Sequence, residues 1–165
     1  MGRAERDRSF EEFVASAWPR LRRAAYLLSH DTHEAEDLVQ TALVSCYTRW
    51  ATVRRGDEYS YVHRALVNAY IDTTRRRHPV AVEDVRSDSI APDHSADDRS
   101  QLTELLAPLS PRERSIIVWR YYLDAPEAEV AEHLGVSAGT VKSTASRALA
   151  RLRSSTTATK GQTND

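Results

Sequence analysis

The sequence predicts an all-α protein built as two small helical domains joined by an acidic linker, and three observations predict it. Apolar residues recur three and four positions apart over long stretches, which is the repeat of a helix with one buried face. Five glycines and six prolines among 165 residues leave few breakers in a chain rich in Ala, Leu, Arg and Glu. The periodicity lapses between Pro79 and Ser100, where Asp, Glu and Ser dominate.

The first stripe runs Phe10, Phe13, Val14, Ala17, Trp18, Leu21, Ala24, Ala25, Leu28, with Pro19 removing one amide donor inside it. Ser29-His30-Asp31 interrupts, and Asp31 stands three residues before Glu34, the spacing of an N-terminal cap. Ala35, Leu38, Val39, Ala42, Leu43, Cys46, Tyr47 and Trp50 form the cleanest amphipathic helix, with Glu34, Glu36, Asp37, Gln40 and Thr41 on its polar face. A third helix is expected from about Ser60 to Arg77, turning Val62, Ala65, Leu66 and Ala69 inward. Short connections make these three a bundle. After the acidic stretch, Leu102, Leu105, Leu106 and Leu109 start a short helix. Ser110-Pro111-Arg112-Glu113 then opens another, with Ser as cap, Pro at the first helical position and Glu returning the bond. The expected organisation is 8–79 as the first domain, 80–100 as a flexible acidic linker, 101–153 as the second domain and 154–165 as a disordered tail.

The net charge of −1 conceals a segregation of sign. The stretch 80–100 carries six acids and two bases. Farther on, Glu127, Glu129 and Glu132 are followed by Lys142, Arg147, Arg151, Arg153 and Lys160, with no further acid until Asp165. That is a local anion-binding surface on a near-neutral protein. Within it Ala131, Gly135 and Val141 have helix-turn-helix spacing: a small residue at a helix crossing, a glycine able to take positive φ, and a return to the core. Ser137 is placed to cap the second helix. Ala138, Gly139, Thr140, Lys142, Ser143, Ser146 and Arg147 then face outward, and Val141, Ala145, Ala148, Leu149 and Leu152 inward. Small side chains, hydroxyls and a helix N-terminus suit close approach to base edges and phosphates in a major groove.

Other chemistry is excluded or weak. The single cysteine, Cys46, forbids an intramolecular disulfide, and the opening MGRAERDRSF has no signal-peptide pattern, so the expected location is the cytoplasm. No apolar run has the length of a membrane span. His30, His33 and Glu36 do not share a helix face, so no metal site and no cofactor are expected. No nucleophile elbow or glycine-rich phosphate loop marks an enzyme.

Three stretches in order carry a wider likeness: HEAEDLVQTALVSCYTRW (33–50), YVHRALVNAYIDTTRRRHP (61–79) and LSPRERSIIVWRYYLDAPEAEVAEHLGVSAGTVKSTASRALARLR (109–153). Together they resemble a bacterial RNA polymerase sigma factor of the extracytoplasmic-function group of the sigma-70 family. The resemblance implies a factor that binds core RNA polymerase, through the β′ clamp helices and the β flap, and directs it to promoter DNA. An anti-sigma factor is a further partner it allows. It places Glu36, Asp37 and Gln40 on the polymerase, although the residues alone fit a solvated helix face equally. It places Tyr61, Asn68, Asp72, Arg75 and Arg76 at the −10 element, where Arg75 to Arg77 alone read also as a basic helix end. It makes Val53 to Tyr59 a loop that receives a flipped base, with Tyr59, Tyr61 and His63 either lining that pocket or packing in the core. At the −35 element it places Ser137, Gly139, Thr140, Lys142, Ser143, Ser146 and Arg147.

The chain departs from the family pattern in three places. Thr144-Ala145-Ser146 replaces the usual Arg-apolar-His run, as in an actinobacterial subgroup. Tyr61 stands where Trp is usual. Pro126 stands where Ser is usual, which leaves Asp124 to cap the helix behind it. The alternative reading is a stand-alone helix-turn-helix regulator that binds duplex DNA without polymerase, and a pure protein-interaction bundle comes after it.

Overall fold

The computed structural model describes residues 2–77 and 101–161, with side chains as far as Ala158. Those residues contain seven α-helices and no strand. Helix α1 spans Arg3–Ser29 and passes through Pro19 without ending, because the ring sits on the exposed side. His30 closes it in the left-handed conformation (φ 57°), donating its amide to Tyr26 O. Asp31 then caps α2 (Thr32–Arg49), its carboxylate accepting the Glu34 amide at 2.8 Å. A 3-10 turn over Trp50–Thr52 and Gly56 at φ 95° lead into α3, Glu58–Arg77.

These three helices pack as the expected bundle. Ala17, Ala24, Ala25, Ala35 and Ala42 are all fully or nearly fully buried, letting the helices approach closely, and Leu21, Leu28, Val39, Val62 and Leu66 fill the space between. Each large aliphatic side chain buried this way stabilises the fold by about 1.5–3 kcal/mol. Phe10 and Phe13 stack edgewise or tilted on Trp50, with ring centroids about 5 Å apart, sealing the end of the bundle.

The second unit opens with α4 (Gln101–Leu106) and α5 (Pro111–Ile117). Both bonds of the Ser110/Glu113 capping box are present, and Pro111 takes the first turn, as the sequence predicts. The helix widens into a π turn over Val118–Tyr122, which turns Trp119 wholly inward and leaves Tyr121 exposed. Helix α6 (Glu127–Leu134) ends at Gly135, φ 67°, and α7 (Ala138–Gly161) begins after Ser137, whose hydroxyl accepts the Thr140 amide. Val141 lies fully buried, as does Val130 of α6.

Two expectations change. Asp124 does not cap α6. Its own backbone is left-handed (φ 55°), the cap position belongs to Pro126 with no side-chain bond, and the Asp124 carboxylate is held by Arg20 at 2.9 Å. Helix α7 continues to Gly161 rather than fraying after Arg153, and within it the hydroxyls of Ser154, Ser155, Thr156 and Thr157 donate to the carbonyls four residues earlier. The linker expected at 80–100 lies outside the described residues, as do the last four of the chain.

The two units pack on each other. Arg114, 4 % exposed, is the pivot. Its guanidinium donates to Leu106 O, Ala107 O and Leu109 O at 3.0–3.2 Å, and to Leu28 O of α1 at 2.9 Å. The carbonyls in and just after the last turns of α1 and α4 turn toward one another, and one forked cation bonds both sets, Leu106 O also accepting the Leu109 amide. The charge is thus held by helix-end dipoles rather than by a carboxylate.

Candidate nucleic-acid interface

Helix α7 presents its N-terminal half to solvent. Ser137, Gly139, Thr140, Lys142, Ser143, Ser146 and Arg147 are all exposed, while Val141, Ala145 and Ala148 anchor the helix from behind. The local chemistry is ordered rather than loose. Ser137 Oγ lies 2.8 Å from Thr140 Oγ1, and Ser143 Oγ donates to Thr140 O at 3.1 Å. Arg151 is engaged by Glu113 of α5, whose carboxyl is held below the usual carboxylate range by Arg151 and Ser110 against the opposing effect of burial. Lys142 and Arg147 have no ion-pair partner among the described residues, so their charge remains available to phosphate.

On α3 the predicted −10 residues do not form one cluster. Asn68 and Asp72 lie one turn apart on the exposed face and line a cleft of about 180 Å³ together with Arg75. Arg76 is exposed beyond it, and Arg77 is tied to Glu34 at 2.9 Å. Tyr61 is half-buried against the core, and among the described residues no ring contact joins it to Tyr59 or His63. Those two pair with each other at 6.0 Å, and Tyr59 also stacks on Phe13 and bonds Ser16. Tyr59 therefore remains the exposed aromatic beside the 53–59 loop, whereas His63 is buried, which pushes its pKa down to about 4, aided by Arg20.

On α2, Asp37 and Gln40 are exposed, and Glu36 is half-buried with Arg22 at 3.5 Å. Sequence reasoning missed Val44, which lies 64 % exposed one turn beyond Gln40. The signal was there: Val44 falls out of phase with the Ala35–Cys46 stripe, an apolar residue on a polar face. It also missed Ser60 and Arg64, which continue the Asn68–Asp72 stripe backward at four-residue steps.

An acid-free helix, fixed by a glycine turn and a serine cap and packed on a second helical unit, defines a helix-turn-helix protein of two parts. Two family descriptions match the chain: Sigma-70 region 2 over residues 13–79, and Sigma-70, region 4 over residues 99–152. The RNA polymerase sigma-E factor of Streptomyces avermitilis is 41% identical over 154 residues, covering 87% of this chain and 83% of that one. The ECF RNA polymerase sigma factor SigM of Mycobacterium tuberculosis is 32% identical over 150 residues, 87% of this chain and 75% of its own. The sigma factor RpoE, solved in complex with the anti-sigma factor NepR from Bartonella quintana, matches with a TM-score of 0.67 at 26% identity, over 88% of this chain and 95% of that one. The chain belongs to the extracytoplasmic-function sigma factors of the sigma-70 family, proteins that direct promoter-specific transcription initiation. A stand-alone regulator is not favoured, because the region 2 match occupies the half of the chain such a regulator would use for sensing or dimerisation.

Proposed function

We propose that residues 8–79 bind core RNA polymerase and open the −10 element, and that residues 101–153 read the −35 element through α7. The observation that supports this most is the outward face of α7: seven small, hydroxylated or basic residues from Ser137 to Arg147, all exposed and none acidic. A helix of that composition tolerates close approach to phosphate, while Gly135 and Ser137 fix its N-terminus toward the groove. Gly139 and Thr140 lie nearest the bases, and Lys142 and Arg147 take phosphates on either side. On α3, Asn68 contacts the unwound strand, with Arg75 and Arg76 on its backbone and Tyr61 and Asp72 completing the set. On α2, Glu36, Asp37 and Gln40 dock on basic residues of the β′ clamp helices, with Val44 as the apolar centre of that contact. The β flap is engaged by the second unit. The protein contributes binding and strand separation, and the polymerase performs nucleotide addition in the cytoplasm. An anti-sigma factor, as in the RpoE co-crystal structure, is a partner class consistent with this reading.

The α2 assignment is tested by Asp37→Arg with Gln40→Arg in a titration of fluorescent chain with core polymerase. Affinity should fall at least tenfold while helix content is retained. Unchanged affinity would remove α2 from the polymerase contact.

A further inference from the structure

The polar stripe of α3 is not open to solvent along its length. Ser60 Oγ donates to Glu129 Oε1 of α6 at 2.5 Å, and Arg64 lies 3.8 Å from the same carboxylate. Two turns along, Asn68 Oδ1 meets His133 Nε2, and the His133 ring is set edge-on against buried Trp119. Arg20 of α1 clamps the same side, donating to Tyr122 O at 2.5 Å and pairing with Asp124. Arg114 fixes the far end through Leu28 O. A carboxylate therefore sits on a hydroxyl and a guanidinium, and a flat nitrogen ring sits on an amide oxygen. A backbone phosphate and a base edge would use the same groups.

We propose that α6 is an internal stand-in for the −10 strand: Glu129 occupies a phosphate site made by Ser60 and Arg64, His133 occupies the base site at Asn68, and the free chain is self-occluded until the two units part. This rests on the assignment of Asn68 to the −10 strand and adds Ser60 and Arg64 to that surface as phosphate-binding residues. In the closed chain these contacts cover the stripe that a single strand would use. Strand and α6 compete for one stripe, and the apparent affinity is reduced by the fraction of chains that are open. Closure joins the ion pairs Arg20–Asp124 and Arg64–Glu129 to the buried Arg114 bond on Leu28 O, and docking of both units on a large partner supplies the contacts that replace them.

The test uses the full chain and a labelled pool of mixed-sequence single-stranded 15-mers, read by anisotropy. Glu129→Gln with His133→Ala should bind the pool tenfold or more tightly than the parent, and Arg64→Ala added to that variant should reverse most of the gain. Small-angle scattering gives a second readout. Arg20→Asp should enlarge the radius of gyration, and Asp124→Arg in the same chain should restore compactness by re-forming the pair with its sign exchanged. That rescue separates opening from misfolding. Parent-like affinity in the Glu129→Gln/His133→Ala chain, or no rescue by the exchanged pair, overturns the proposal. The Asn68 reading fails separately. If Asn68→Ala leaves promoter melting by the holoenzyme unchanged, the −10 assignment falls; if it abolishes melting while the opened variant binds no better, only the occlusion falls.

Discussion

Removing two unpaired cations near the start of α7, by Lys142→Ala with Arg147→Ala, should flatten the salt dependence of promoter binding by a calculable amount. Both side chains are exposed, whereas the neighbouring Arg151 is committed to Glu113. Each phosphate contact contributes about 0.9 to the slope of log K against log salt on duplex DNA, so two contribute about 1.8. Between about 50 and 200 mM salt that difference amounts to a factor of about 12. Holoenzyme carrying the parent chain should therefore lose roughly tenfold more affinity over that range than holoenzyme carrying the variant. The measurement is a salt series on a labelled promoter fragment, with core-polymerase affinity determined in parallel and expected to stay constant. Arg151→Ala is the control and should change the slope by less than half as much as the double variant. An unchanged slope in the double variant, or the full drop from Arg151→Ala alone, would refute the placement of the phosphates. Equal loss of polymerase binding would show that the substitutions had unfolded the second unit.

Three further outcomes follow from local geometry. Gly135→Ala places a Cβ in open space at φ 67°, so its cost is backbone strain alone, about 1–2 kcal/mol, read as a lower unfolding midpoint in denaturant; no change would mean the turn relaxes freely. Arg114→Lys cannot reach four carbonyls with one ammonium and should destabilise the chain by about 1–3 kcal/mol for each carbonyl left bare; a neutral result would show that water replaces the fork. His30 and His63 are both held at about 4 by burial, with Arg114 acting on the first and Arg20 on the second against the opposing pull of Glu129 and Asp124. A histidine depressed in the folded state binds its proton more readily when unfolded. Stability is therefore complete above about pH 6.5 and is lost as the pH falls toward 4, by up to about 3 kcal/mol for each group. His63→Leu should flatten the pH profile of the unfolding midpoint, and an unaltered profile would assign the acid sensitivity elsewhere.

What could be read from the sequence was what neighbouring residues decide. The cap at Asp31, the capping box at Ser110 and Glu113, and the positive φ of Gly135 depend on residues within one helical turn, and each is found where expected. The outward face of α7 followed from its period. Partners brought together by tertiary packing leave no such trace. Ser60 meets Glu129 across 69 positions, Asn68 meets His133 across 65, and Arg20 meets Asp124 across 104. Asp124 was misassigned for that reason: a carboxylate near a helix start is a natural cap until a distant arginine takes it. Arg114 shows the same limit, since within Pro-Arg-Glu-Arg it has the composition of a solvated surface, yet helix ends folded around it make it almost wholly buried.

As a sigma factor, this chain directs RNA polymerase to promoters. Purified core polymerase from Streptomyces avermitilis, combined with this protein and a genomic fragment pool, tests this by sequencing the 5′ ends of the transcripts. The expected result is a discrete set of start sites that appears only with the protein present, shares −35 and −10 elements, and disappears with Asn68→Ala or with Lys142→Ala/Arg147→Ala. Start sites that are indistinguishable with and without the protein would contradict it.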